Sequence, residues 1–182
     1  DQARALSEAG IDLLTLETFT DLREVQEAIS ACRGVCDLPI VAHITFAGDA
    51  GDSEEHGTEE TVRTLADLDV EAIGLNCSVG SERMLRAVEA VSAITYVPIS
   101  AQPNAGLPTY QGGRLMYLSS PEYVAQYARR MVEAGATLVG GCCGTSPEHI
   151  AAIRDALVGV QRPGSRMPAE PAPKRARLRA AP

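Results

Sequence analysis

Residues 139–145 read Val139-Gly140-Gly141-Cys142-Cys143-Gly144-Thr145, two adjacent thiols at the end of an apolar run, with glycines that let the backbone bend around them. Adjacent cysteines rarely bond to each other. The chain holds five cysteines, an odd count, and its first residues, Asp1-Gln2-Ala3-Arg4, lack the basic-then-apolar order of an export signal. Thiol or metal chemistry is therefore favoured over a disulfide framework. Zinc suits such a pair because it imposes no geometry of its own and needs only thiolate sulfurs at about 2.3 Å in a roughly tetrahedral array. Cys77, at the end of Gly74-Leu75-Asn76-Cys77, supplies a third ligand from another apolar run. A single buried cysteine is an ordinary core residue, but three at strand ends read as a zinc site. Three protein thiolates leave the fourth position open, as catalytic zinc does, and a substrate thiol fits there. A free thiol, with a pKa near about 8.5, is mostly protonated at neutral pH, whereas a coordinated one is deprotonated.

Other candidates surround this trio. Glu17 is a carboxylate at a strand end, where structure alone does not require one. Asn104 follows a strand; its amide oxygen is a weak, displaceable ligand that suits the fourth zinc position or orients a substrate, and Asn is equally at home as a turn former before Gly106. His43 lies on a strand, but the three-cysteine pattern leaves it without a ligand role. His56 and His149 read as surface residues with no catalytic part. Cys32 and Cys36 precede a strand and fall at the opposite end of the fold, as plain thiols.

Five runs rich in Val, Ile, Leu or Thr must position these residues: Ile11 to Glu17, Pro39 to Phe46, Ala72 to Cys77, Tyr96 to Ala101 and Thr137 to Cys142. They lack polar alternation, as parallel strands covered on both faces should. Helical patterns lie around and between them, over Gln2 to Ala9, Leu22 to Ala31, Thr58 to Asp69, Glu82 to Ala93, Pro121 to Ala134 and Pro147 to Leu157. Ser120-Pro121-Glu122 and Ser146-Pro147-Glu148 each place a capping hydroxyl before a proline at the first helical position. Gly10 and Gly135 stand where helices should stop. Repeated right-handed βα units follow. Glu17-Thr18-Phe19-Thr20 replaces any glycine-rich dinucleotide fingerprint after the first strand, which favours a (β/α)8 TIM-type barrel over a doubly wound sheet. A whole barrel needs eight strands and roughly 250 residues. This chain is expected to cover about the last five βα units, and the open sheet edges to invite association. In a parallel barrel all strand ends share one face, so Cys77 meets Cys142 and Cys143 there.

A composition of 45% hydrophobic residues in 182 is enough for one sizeable core. Residues 160–182 turn to Pro, Ala and Arg, with six basic side chains against Glu170 alone; that surplus of five leaves residues 1–159 at −13 within a net charge of −8. Residues 1–159 are thus expected to be the folded barrel domain and 160–182 a linker or tail. So acidic a body would repel phosphate backbones, which argues against nucleic acid as a partner. No apolar stretch is long enough for a membrane span, and the chain is expected in the cytoplasm.

Gly74-Leu75-Asn76-Cys77 and Gly140-Gly141-Cys142-Cys143-Gly144, with Leu16-Glu17-Thr18 and Pro103-Asn104-Ala105-Gly106-Leu107-Pro108, resemble the homocysteine S-methyltransferase family through most of residues 1–159. The resemblance implies zinc held by Cys77, Cys142 and Cys143, L-homocysteine as methyl acceptor with methionine as product, and Glu17 on the substrate's amino group. Tyr110-Gln111-Gly112-Gly113-Arg114 and Tyr117 to Tyr123 look most like the bifunctional bacterial members. Those join this domain to a methylenetetrahydrofolate reductase, expected here as a C-terminal partner domain. No residue chooses among methylcobalamin, methylfolate, betaine and S-methylmethionine as methyl donor. Two other readings stay open: a closed structural zinc module, and a methyltransferase for another small thiol or selenol.

Overall fold

A computed structural model of the chain describes residues 1–45 and 57–161. Phe46, the acidic loop with His56, and the basic tail from 162 lie outside the described residues. The elements run α1 (Gln2–Glu8), β1 (Leu14–Phe19), α2 (Leu22–Arg33), β2 (Ile40–Ile44), α3 (Thr58–Asp67), β3 (Ala72–Asn76), α4 (Ser81–Ser92), β4 (Ile99–Gln102), β5 (Thr109–Gln111), β6 (Arg114–Met116), α5 (Pro121–Glu133), β7 (Ala136–Val139) and α6 (Pro147–Ala156). One sheet orders its strands β1-β2-β3-β4-β7, every pair parallel, which is the α/β arrangement expected of five consecutive βα units.

Burial explains the strand patterns. β2 and β3 lie mid-sheet and are buried at every position, whereas β1 and β7 are the edges and alternate or open to solvent. The core fills the space between sheet and helices, with Val25 and Ile29 of α2, Val62 and Leu65 of α3, and Met84, Val88 and Val91 of α4 against Ile40, Ile44, Ile73, Leu75 and Ile99. A smaller cluster joins α5 to α6 through Val124, Ala125, Ala128 and Ile153. Cys32 is buried in the main core, and the Cys36 thiol hydrogen-bonds the Cys32 carbonyl at 3.6 Å.

Helix starts follow their sequence signals. Asp21 accepts from the backbone N–H groups of Arg23 (2.7 Å) and Glu24 (3.2 Å), and Ser120 accepts from Tyr123 N–H at 3.3 Å with Pro121 at the first helical position. Strand boundaries moved for local reasons. β4 begins at Ile99 rather than Tyr96, because Pro98 has no N–H to donate to a ladder and Tyr96 is exposed. β7 ends at Val139, so both vicinal cysteines sit in the loop beyond the strand and not on it.

One element was not anticipated. β4 is not followed directly by a helix but by the antiparallel hairpin β5–β6, with Gln111 opposite Arg114 across a two-residue turn. Gly112 and Gly113 have φ of +56° and +78°, the paired left-handed conformation that matches strand twist in a tight hairpin.

His43 carries a pH prediction. It is fully buried on β2, its Nε2 3.1 Å from Ser100 Oγ and its Nδ1 without a partner among the described residues. Burial lowers its pKa from 6.5 to about 4. The unfolded chain therefore binds the proton first, so stability is unaffected above pH 6.5 and is lost as pH falls from there toward 4. The loss is on the order of 3 kcal/mol. Urea unfolding at pH 7.5 and 4.5 should show it, and His43→Gln should flatten that part of the profile. An equally steep profile in the variant would assign the loss to other groups.

Candidate metal centre

Beyond the carboxyl ends of β3, β4 and β7, three loops are knitted together by backbone hydrogen bonds. Cys77 N–H donates to Gln102 O (3.1 Å), Asn104 N–H to Val79 O (2.9 Å), Cys142 N–H to Pro103 O (2.8 Å) and Ala105 N–H to Cys143 O (2.9 Å). The β4 loop thus acts as a splint between the two cysteine-bearing loops. It brings Cys77, Cys142 and Cys143 together, with one sulfur from each lying within 4.8 Å of the others and Cys77 Sγ 3.8 Å from Cys143 Sγ. In a tetrahedral site with metal–sulfur bonds of about 2.3 Å, the sulfurs stand about 3.8 Å apart. The donor set and its spacing fit a thiophilic metal ion without rearrangement of the backbone. Cys77 and Cys142 are half-buried and Cys143 is exposed, so the cluster faces solvent.

The electrostatics point the same way. At Cys77 burial opposes ionisation, but the Ser78 backbone N–H and hydrogen bonds from Cys143, Cys142 and Asn104 outweigh it and lower the pKa. At Cys142 burial, and then the charge on Cys77, push the thiol up to about 11. A thiolate is thus favoured at Cys77, while burial and that charge disfavour one at Cys142.

Backbone strain concentrates here. Among the described residues three non-glycines have positive φ, namely Thr18 (66°), Cys77 (61°) and Ser78 (59°). A β-branched residue in that region is strongly disfavoured and persists only when its surroundings hold it. Asn76 does so: its Oδ1 accepts from Thr18 N–H (3.0 Å) and its Nδ2 donates to Thr18 Oγ1 (2.9 Å), while Nδ2 also lies 3.9 Å from Cys142 Sγ. Thr45 Oγ1 donates to the Asn76 carbonyl at 2.8 Å beneath it. The consequence is a bulge in β1, whose register against β2 slips between Leu16 and Phe19. Glu17 sits inside that bulge, exposed, on the same sheet end as the cysteines.

Asn104 is 4% exposed, and its Oδ1 accepts from Cys143 N–H at 3.1 Å. It therefore braces Cys143. Gly141 is dictated by space, because a Cβ there would meet Thr145 Oγ1 at 2.2 Å.

Sequence reasoning missed Asn76 and Thr45, although Asn76 directly precedes a candidate ligand. It also misplaced His149, which is 8% exposed rather than on the surface. The imidazole completes the α6 capping box with Ser146 and reaches back to Ser119 O at 3.0 Å, so it is consumed by structure. The signal was the Ser146-Pro147-Glu148-His149 spacing, read as a cap for its first residue only.

Comparison with known proteins decides the family. Residues 1–157 match the homocysteine S-methyltransferase family. This chain belongs to that family. It is 32% identical to the methionine synthase of Mycobacterium tuberculosis over 94% of its own residues and 31% identical to that of Mycobacterium leprae over 86%. It spans only 15% and 14% of the length of those relatives. Among solved structures it is similar to the homocysteine methyltransferase MmuM of Escherichia coli. The apo form is 27% identical, with a TM-score of 0.70 over 85% of this chain and 53% of that one. The metallated form is 28% identical, with a TM-score of 0.68 over 83% and 47%. Homocysteine S-methyltransferases are enzymes, and the five-stranded parallel sheet corresponds to part of their barrel. Among the described residues no helix is long and apolar enough to cross a membrane.

Proposed function

We propose that this chain carries the metal-bearing part of an enzyme that transfers a methyl group to the sulfur of L-homocysteine, giving methionine. The observation that supports this most is the solvent-facing trio of sulfurs at strand ends, 3.8 Å apart at Cys77 and Cys143. In the reaction the homocysteine sulfur attacks the methyl carbon, the new S–C bond forms, and the electron pair of the broken bond leaves with the donor. When bound, zinc supplies the charge that keeps a coordinated thiol deprotonated at neutral pH.

The chain's own residues have separate tasks in this reading. Cys77, Cys142 and Cys143 would hold the ion. Asn104 keeps Cys143 in register, its oxygen accepting from the Cys143 N–H at 3.1 Å. Glu17, in the bulge that Asn76 secures, binds the substrate's ammonium group. Residues 160–182 link this domain, in the cytoplasm, to a methylenetetrahydrofolate reductase domain. The exposure of Cys143 favours this over a closed structural zinc module, in which a fourth protein ligand would cover the sulfurs.

X-ray absorption at the zinc edge tests the reading. About one zinc per chain is expected, with one additional sulfur neighbour when homocysteine is added. Glu17→Gln should keep the zinc and need roughly tenfold more homocysteine for the same change, as the loss of one charged hydrogen bond predicts. A zinc shell that ignores homocysteine at saturating concentration would defeat the proposal.

A further inference from the structure

One buried amide joins the strand that carries Glu17 to the loop that carries Cys142. Asn76 ends β3, is 1% exposed and directly precedes Cys77. Both polar atoms of its side chain are engaged. Oδ1 accepts from Thr18 N–H at 3.0 Å, and Nδ2 donates to Thr18 Oγ1 at 2.9 Å and lies 3.9 Å from Cys142 Sγ. Thr45 Oγ1, just beyond β2, donates to the Asn76 carbonyl at 2.8 Å and anchors the residue from the other strand. What the amide holds is the β1 bulge. Between Leu16, opposite Ala42, and Phe19, opposite Ile44, β1 takes three steps where β2 takes two. The extra residue fits because Thr18 adopts φ +66° and gives its N–H to Asn76. Leu16 packs against the core, so Glu17 faces the other side of the sheet, as Asn76 does beside the core residue Leu75. Were Thr18 to relax to an extended conformation, β1 would slip by one residue against β2 and neighbouring side chains would change face.

We infer that Asn76 is a positioning residue that sets specificity for the amino group of the thiol substrate: through Thr18 it fixes the bulge that presents Glu17, while the same amide lies against the Cys142 sulfur. The inference rests on the reading of Glu17 as the partner of the homocysteine ammonium group and of the cysteines as the site for its sulfur. Asn76 touches neither group and acts through Thr18. In homocysteine the ammonium group and the sulfur are joined by a short chain, so both are engaged at once only where the carboxylate and the sulfur cluster keep one separation. A thiol of the same length without the amino group uses the sulfur side alone and gains nothing from that alignment.

Calorimetric titration of the zinc-loaded full-length protein with homocysteine and with 4-mercaptobutyrate, its analogue without the amino group, tests this. The parent should prefer homocysteine about tenfold or more, and Glu17→Gln should abolish the preference. Asn76→Ala should weaken homocysteine binding about tenfold, leave 4-mercaptobutyrate binding unchanged and keep the zinc stoichiometry. Adding Thr18→Gly to that variant should recover most of the loss, because glycine takes φ +66° without support. With Asn76 intact, Thr18→Gly should keep the parent's preference. Thr18→Val, which stays branched but loses the bond from Asn76, should weaken homocysteine alone about threefold. The two Thr18 variants decide the question even if Asn76→Ala fails to fold or to hold zinc. Equal weakening of both thiols would overturn the inference, as would Asn76→Ala or Thr18→Val with the full preference. Absence of rescue by glycine would overturn it too, and would point to direct contact between Asn76 and substrate. In each of these cases the parent's preference and its loss in Glu17→Gln would leave the methyl-acceptor reading standing. A parent that holds no zinc or shows no preference would remove the reading on which the inference rests, and the inference with it.

Discussion

Cys142→Ser is expected to reduce bound metal from about one ion per chain to nearly none after dialysis, with methyl transfer lost in parallel. Serine keeps the volume but replaces the soft sulfur donor with a hydroxyl that does not ionise at neutral pH. The Cys142 N–H is fixed to Pro103 O at 2.8 Å, and its sulfur lies 3.9 Å from Asn76 Nδ2, under the site. Removing one of three protein ligands should cost on the order of 3 kcal/mol or more of binding free energy, at least about a hundredfold in affinity. Competition with a chromophoric chelator would measure it. Unchanged affinity in the variant would mean that Cys142 is not a ligand, whatever the sulfur spacing. The fold should survive, since Cys142 lies outside the core.

Gly74→Ala is expected to have the largest effect on stability, through a residue that touches no ligand. Gly74 pairs with His43 on one side and Ser100 on the other, and a Cβ on it would lie 1.9 Å from His43 Cδ2 and 2.2 Å from Cγ. The imidazole cannot easily swing away, because it is fully buried and its Nε2 is hydrogen-bonded to Ser100. The strand cannot shift either, being paired on both sides. The collision should cost about 3 kcal/mol or more. Urea denaturation of Gly74→Ala, of His43→Ala and of the double variant would measure the coupling. The double variant should be clearly more stable than the sum of the single effects predicts, because removing the ring makes room for the methyl group. Simple additivity would show that the clash is relieved elsewhere.

Much of the scaffold was legible because local rules and tertiary structure agree on it. The apolar runs mark five parallel strands, and the Ser-Pro-Glu signals mark two helix starts where the structure has them. The bounds shifted where a single residue overrode the pattern, as Pro98 does at the start of β4. The hairpin was legible in principle, since Gly112-Gly113 flanked by Thr109-Tyr110-Gln111 and Arg114-Leu115-Met116 has the right chemistry. Three-residue strands, however, are too short for periodicity to reveal.

The sequence by itself determined the donor chemistry: three thiols, each at or just beyond the end of an apolar run, in a topology that sends such ends to one face. Parallel βα repetition makes that conclusion independent of the distance along the chain between Cys77 and Cys142. Only the tertiary structure decided how the thiols are held. Thr18 adopts a conformation that its own side chain disfavours, because Asn76, far away in sequence, supplies two hydrogen bonds that outweigh the local cost. Gly74 is glycine because of a histidine on the neighbouring strand, and Gly144 because of a tyrosine on a hairpin strap. His149 is buried because its two nitrogens find partners in Ser146 and Ser119. Residue types and spacing carry local preferences and the ends of elements. They do not carry contacts between residues brought together by folding, and such contacts are what hold the three sulfurs in place.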